Sequence, residues 1–262
     1  MSMAIDPMPA LFVGHGSPMN AIEDNPFSKA WSEAAAAMPR PRAILCVSAH
    51  WETEGTFVTA MAQLRTIHDF YGFPGELYQV QYPASGLVEL AERVRGLVSS
   101  TAVRLDDAYS WGLDHGAWSV LRRMYPEADI PVVQLSLDRT QPPRFHYDLA
   151  AELLPLRHEG VLIVGSGNIV HNLRLLQWDA QQPYPWAAEF DTLATELILA
   201  GEHDRLVAYP VLGESARLSI PTNEHYLPLL YTLALQQPDE KVSFFAGGLI
   251  YGSISMRSLR IG

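Results

Sequence analysis

Three short apolar runs end in the same way, and that repetition constrains the chain more than any other feature. Leu11-Phe12-Val13 stops at Gly14-His15-Gly16-Ser17-Pro18, and Ala43-Ile44-Leu45-Cys46-Val47-Ser48-Ala49 runs into His50-Trp51. Val161-Leu162-Ile163-Val164 breaks at Gly165-Ser166-Gly167, just ahead of His171-Asn172. A continuous apolar run that stops at glycine and polar residues reads as a buried strand with a turn at its C-terminal end. Open α/β sheets bind ligands at the carboxyl ends of their strands. Three such exits, each followed by a histidine, predict one shared site.

The segments between these runs alternate in type. Asn25-Pro26 offers a capping side chain and a proline at the first helical position, so a helix is expected over 26–37, ended by Pro39 and Pro41. Leu87, Leu90, Ala91, Val94 and Val98 recur at helical spacing over 86–98. Strands are expected over 56–61, 102–105 and 131–137, and helices from His115 to before Pro126, over 142–157, up to Ile198 and over 225–235. Segments 242–246 and 249–256, around Gly247-Gly248, read as a closing pair of strands. Strands alternating with helices predict an α/β/α sandwich around a mixed, largely parallel central sheet. No Pro/Gly/Ser-rich linker and no internal repeat interrupts residues 1–262, so one domain is expected.

Composition narrows the function classes. The formal charge of −11 repels nucleic acid and anionic membrane surfaces, so neither is expected as a partner. No apolar run is long enough to span a bilayer, and the first residues lack the basic start and apolar core of a secretory signal. The single Cys46, inside an apolar run, reads as a buried structural thiol, which fits the cytoplasm.

Nine histidines divide by context. His146, His158 and His203 have polar neighbours and read as surface residues. His15, His50, His115, His171 and His225 sit at strand exits or helix starts beside Gly, Trp or Asn, where polar groups converge on ligands. Neutral imidazole is the commonest protein metal ligand, and three of them leave positions open for water or substrate. The alternative for each is a hydrogen bond to backbone at a strand end. Gly165-Ser166-Gly167-Asn168 has no following lysine and lacks the dinucleotide glycine spacing, which argues against a nucleotide site. Ser17 and Ser48 lie near histidines but outside any Gly-x-Ser-x-Gly elbow, so a serine hydrolase is the weaker enzyme reading.

Six motifs, in order, cover the chain from residue 10 onward: Gly14-His15-Gly16-Ser17-Pro18-Met19-Asn20, Ser48-Ala49-His50-Trp51, Thr66-Ile67-His68-Asp69-Phe70, Trp111-Gly112-Leu113-Asp114-His115-Gly116, Gly167-Asn168-Ile169-Val170-His171-Asn172 and Glu224-His225-Tyr226-Leu227-Pro228-Leu229. Together they resemble the 4,5-DOPA extradiol dioxygenases, within the class III or LigB-type extradiol superfamily. The resemblance implies a non-haem divalent metal, Fe(II) for activity, that binds a catechol such as L-DOPA together with O₂ and opens the ring beside the diol. It implies metal ligation by His15, His50 and His225, with His171 as acid/base or fourth ligand, and His115 contacting substrate or oxygen. Glu224, next to His225, is the competing third ligand, since related enzymes use two histidines and a glutamate. An all-histidine site also suits Zn(II), which can occupy it in a purified sample but has no redox chemistry. Catalytic roles are thus expected of His171 and His115, and substrate contacts of His68, His115, Trp51 and Tyr226. Phe70, Tyr71, Phe73, Trp111 and Trp118 are further candidates to sandwich an aromatic ring, each with core packing as its alternative. A histidine near its ordinary pKa of about 6.5 suits proton transfer near neutral pH. A zinc hydrolase built on the same histidines, and a non-catalytic metal- or ligand-binding protein, are the other readings.

Overall fold

The computed structural model describes residues 6–108 and 110–262. Strand β1 (Ala10–Gly14) leads to helix α1 (Pro26–Ala36), which Asn25 caps as expected. The Asn25 side chain accepts from the Phe27 and Ser28 amides, and Ser28 Oγ accepts from the Asn25 amide in return. Next come β2 (Ala43–Thr53), β3 (Thr56–Thr59), α2 (Val88–Leu97), β4 (Val103–Asp106), α3 (His115–Met124), β5 (Val132–Asp138), α4 (Pro143–Ala151), α5 (Pro155–His158) and β6 (Val161–Gly167). The last third holds α6 (Pro185–Leu199), α7 (His203–Val207), α8 (Glu214–Ser219) and α9 (Leu227–Leu233). It closes with β7 (Val242–Ala246), β8 (Leu249–Ile250), β9 (Ile254–Ser255) and β10 (Ser258–Ile261).

The main sheet runs β4-β3-β5-β2-β6-β1-β10-β7. Its centre, β5-β2-β6-β1, is parallel, while β3 against β5 and β10 against both β1 and β7 are antiparallel. Side chains of a strand alternate between faces, and here both faces are apolar. Phe12, Leu45, Val47 and Ile163 point into one core with α2, α4, α6 and α9, whereas Leu11, Val13, Ile44, Cys46 and Val164 point into a second with α1 and α3. The result is the three-layer sandwich that the alternation of elements predicts.

Three expectations are corrected. The helix expected over 142–157 is broken into α4 and α5, since Pro155 cannot donate the helical hydrogen bond. Its His146 is not a surface residue: it is fully buried, with Nδ1 3.1 Å from the Tyr231 hydroxyl. The closing strand pair is not 242–246 with 249–256 either. β7 pairs with β10, and β8 and β9 form a separate small hairpin that projects from the sheet. That hairpin helps to wall the site.

Candidate metal centre

β1, β2 and β6 lie side by side and parallel, so their C-terminal ends share one edge of the sheet. His15 leaves β1 there, its amide donating to Gly167 O (3.1 Å). His50 does not follow the end of its strand as the sequence implies. It sits within β2, where the pairing with β5 shifts register between Val47 and Glu52, an irregularity that re-aims side chains. His225 arrives from the far side of the sheet just before α9. A Cβ on Gly167 would lie 2.1 Å from His225 O, and one on Gly165 2.3 Å from Pro228 O. Only glycines allow that approach, and the Asn168 amide donating to His225 O (2.8 Å) fastens it.

Each of these three rings has an acceptor at Nδ1. His15 Nδ1 is 3.0 Å from Ser166 Oγ, whose own hydrogen goes to Gly116 O (2.6 Å). Ser166 therefore accepts, which assigns the His15 proton to Nδ1 and leaves Nε2 as a lone pair. His50 Nδ1 lies 3.3 Å from Asp69 Oδ2, and His225 Nδ1 lies 3.1 Å from Glu224 Oε1. Metal-ligating histidines are oriented in this way by an acceptor on the other ring nitrogen. The three ring centroids are 5.0–5.2 Å apart, an almost equilateral triangle. His15 Nε2 and His50 Nε2 face each other at 3.2 Å, a separation that a shared proton or a cation bridges. Three neutral imidazoles with oxygen acceptors behind them fit a divalent transition metal.

His115 and His171 flank the triangle. His115 opens α3, whose cap Asp114 accepts from the Ala117 amide, Ser48 Oγ, Trp111 Nε1 and Gln134. Its ring lies 3.9 Å from that of His50, and its Nδ1 lies 3.0 Å from Asp69 Oδ2. His171 stacks on His225, centroids 3.5 Å apart and planes 8° from parallel. Nitrogens of His15, His50 and His115 form one potential ligand group, and those of His171 and His225 with a Glu224 oxygen form another.

Burial, reinforced by neighbouring histidines, holds His15, His50 and His225 well below the ordinary imidazole value, so all three are neutral and ready to ligate. Burial and the charge of His115 bring His171 down to about 4, not to the near-neutral value that its residue type suggests. Asp69 behaves oppositely. Burial alone would raise it, but the hydrogen bond and charge of His115, with the charge of His50, bring it down to about 2.

A cavity of about 390 Å³ opens over the triangle, with His15, His50, His115, His171 and His225 in its floor. Phe70, Tyr71, Phe73, Leu173, Leu176, Trp178, Ile250, Tyr251 and Ile254 make its walls. Three residues expected to contact substrate lie outside this lining. Trp51 is buried and stacks on Trp111, Tyr226 is buried with its hydroxyl donating to Leu206 O, and His68 Nε2 bonds to Val80 O. In each case a backbone acceptor or a neighbouring ring satisfies the side chain. Trp118 likewise donates to Ile67 O. Ser166 enters the sequence reading only as part of the Gly165–Asn168 turn, and its place at a glycine-flanked strand end is the one sequence signal of its contact with His15. The role of Asp69 was visible only as a neighbour of His68.

Residues 9–249 match the family model described as the catalytic LigB subunit of aromatic ring-opening dioxygenase. The 4,5-DOPA dioxygenase extradiol of Escherichia coli K12 is 49% identical over 97% of this chain and 95% of its own length. That of Beta vulgaris is 38% identical, over 94% and 96%. A crystal structure of an uncharacterized protein from Escherichia coli K12 superposes with a TM-score of 0.85 at 44% identity, covering 97% of this chain and all of the other.

Proposed function

The chain belongs to the family of catalytic LigB subunits of aromatic ring-opening dioxygenases, and on that premise we propose that it opens a catechol such as L-DOPA by 4,5-extradiol cleavage with O₂. The observation that carries this reading furthest is the pair of Nε2 atoms facing each other at 3.2 Å, with Nδ1 of each ring turned to an oxygen acceptor. Family membership favours it over the zinc hydrolase and the non-catalytic binding protein. Residues 1–262 act as one catalytic domain, and the single buried thiol, Cys46, supports a cytoplasmic setting. Among the described residues, no helix is long and apolar enough to cross a membrane.

His15, His50 and His225 hold a non-haem divalent metal, with Ser166, Asp69 and Glu224 orienting them. When bound, ferrous iron would lower the pKa of a coordinated phenol and relay electrons from the catecholate to O₂. Zinc fits the same imidazoles but lacks that redox chemistry. His115, with Nδ1 turned to Asp69, uses Nε2 to accept a hydrogen bond from the substrate. His171, neutral at pH 7, takes the remaining phenolic proton on its ring. Its conjugate acid returns that proton later in the cycle. The apolar walls keep water away from the ring.

Stripping the metal, reloading anaerobically with Fe(II) or Zn(II), and adding L-DOPA and air tests this. A yellow ring-opened product with iron alone is expected. Equal turnover with zinc would contradict a redox role for the metal.

A further inference from the structure

The tip of the β8–β9 hairpin has a backbone conformation that its sequence does not favour. Tyr251 and Gly252 are the central residues of a turn closed by the Ser253 amide donating to Ile250 O (3.2 Å), and both have positive φ, 51° and 78°. Turns with two such residues take Asn-Gly or Gly-Gly, because a Cβ in the left-handed region crowds the following carbonyl. Among the described residues, Ala128 is the only other non-glycine with positive φ, and it lies outside the cavity lining. Tyr251 lies within it. Strained backbone of this kind clusters at sites that clamp a ligand, where the side chain it presents has a task.

The surroundings narrow that task. The Gln177 amide donates to Tyr251 O (3.0 Å), and the Trp178 ring lies 4.8 Å from that of Tyr251, so the strained tip is braced. A diol held at the histidine floor directs the other end of a catechol toward the outer wall, where Trp178 and Tyr251 stand. Among the described residues, no lysine or arginine lines the cavity, and its one carboxylate, Asp69, is engaged by His50 and His115. A substrate carboxylate there meets neutral donors. Three side chains of the lining carry hydroxyls. Ser17 Oγ is turned to the Met19 amide (3.3 Å), and Tyr71 is 92% exposed, where water competes for its hydroxyl. Tyr251 is half-buried, where a hydrogen bond is worth more.

We propose that Tyr251 determines substrate selection, its hydroxyl donating to the carboxylate on the side chain of the catechol, as in L-DOPA or an arylpropionate. The inference rests on the ring-opening reading and adds the group that recognises the far end of the substrate. A hydrogen bond from a neutral donor to a carboxylate is charge-assisted, and it suits an anion that keeps part of its water at an open mouth.

Catechols with side chains of similar length test this: dihydroxyphenylpropionate carries a carboxylate, dopamine an ammonium, L-DOPA both and propylcatechol neither. Dissociation constants are measured anaerobically on the iron-loaded protein, and kcat/KM by oxygen uptake. Tyr251→Phe keeps the ring against Trp178 and is expected to weaken binding of both carboxylate compounds by about fivefold to tenfold, leaving dopamine and propylcatechol unchanged. Tyr251→Asn is expected to lose the same preference while its urea midpoint holds or rises, since asparagine suits the turn. Tyr71→Phe should keep the preference. An equal effect of Tyr251→Phe on every catechol, a loss confined to dopamine, or loss of the preference in Tyr71→Phe would overturn the proposal. So would failure of dihydroxyphenylpropionate to bind the unaltered protein. The expected binding pattern without oxygen uptake on any catechol would support the role of Tyr251 while removing the ring-opening reading itself.

Discussion

Glu224 and His225 are neighbours in the chain, yet the geometry gives them different positions relative to the triangle. The glutamate oxygen lies 3.1 Å from His225 Nδ1, so in the proposed site it sets the ring and leaves Nε2 for the metal. Glu224→Gln is accordingly expected to weaken metal binding by about 10- to 100-fold. His225→Ala should weaken it further in the same chelator competition. The reverse ranking would make the carboxylate the ligand. His171 carries a separate prediction. Its ring stacks on that of His225 at 3.5 Å and is buried neutral, so His171→Ala is expected to bind catechol anaerobically but lose at least about a hundredfold in turnover. Near-normal turnover would remove it from proton transfer.

At the scale of elements, the site depends on how closely α9 approaches the end of β6. Gly167→Ala puts a methyl group 2.1 Å from His225 O, with backbone rather than a flexible side chain in its way. About 1–3 kcal/mol of stability should be lost to this overpacking, read by urea denaturation, together with weaker metal binding as His225 is displaced. Loss of neither would show that α9 tolerates the shift. The elements differ in how legible they were in the sequence. β1, β2 and β6 could be read because both faces of a buried parallel strand are apolar, and the Asn25 cap because its chemistry is local. The place of His50 inside β2 could not, since the register shift arises from pairing with β5 across more than eighty residues of sequence. The β8–β9 hairpin was merged with its neighbours because its register is set by tertiary contacts: Ser255 Oγ donates to Asp191, Asn168 Nδ2 donates to Ser255 O, and Ile254 bridges to His171. All five clustered histidines were recognisable, yet the acceptors that orient them come mostly from other segments. Trp51 and Tyr226 show the converse: being next to a clustered histidine in sequence does not put a side chain in the cavity.

For the molecule as a whole, buried neutral histidines link stability to pH. Burial brings His146 down to about 4, and His171 falls similarly. The unfolded chain takes up these protons near the ordinary value of about 6.5, whereas the folded chain does not until about 4. The unfolded state thus binds more protons between those values. Stability is full above about 6.5 and falls as the pH drops toward 4, by roughly 3 kcal/mol for His146 alone. Urea midpoints of metal-free protein at about pH 7 and pH 5 should show the fall, and His146→Gln should lessen it. A flat profile would contradict the buried neutral state. The sandwich brings three strand ends, one helix start and the segment before α9 to a single edge, and the account stands on what that edge does to oxygen. The most direct test is to follow O₂ and catechol together on anaerobically iron-loaded protein. One O₂ consumed per ring opened, with no hydrogen peroxide released and no uptake by the zinc-loaded form, is the predicted result. Oxygen uptake that ends as peroxide with the ring intact, or no uptake at all while iron stays bound, would contradict it.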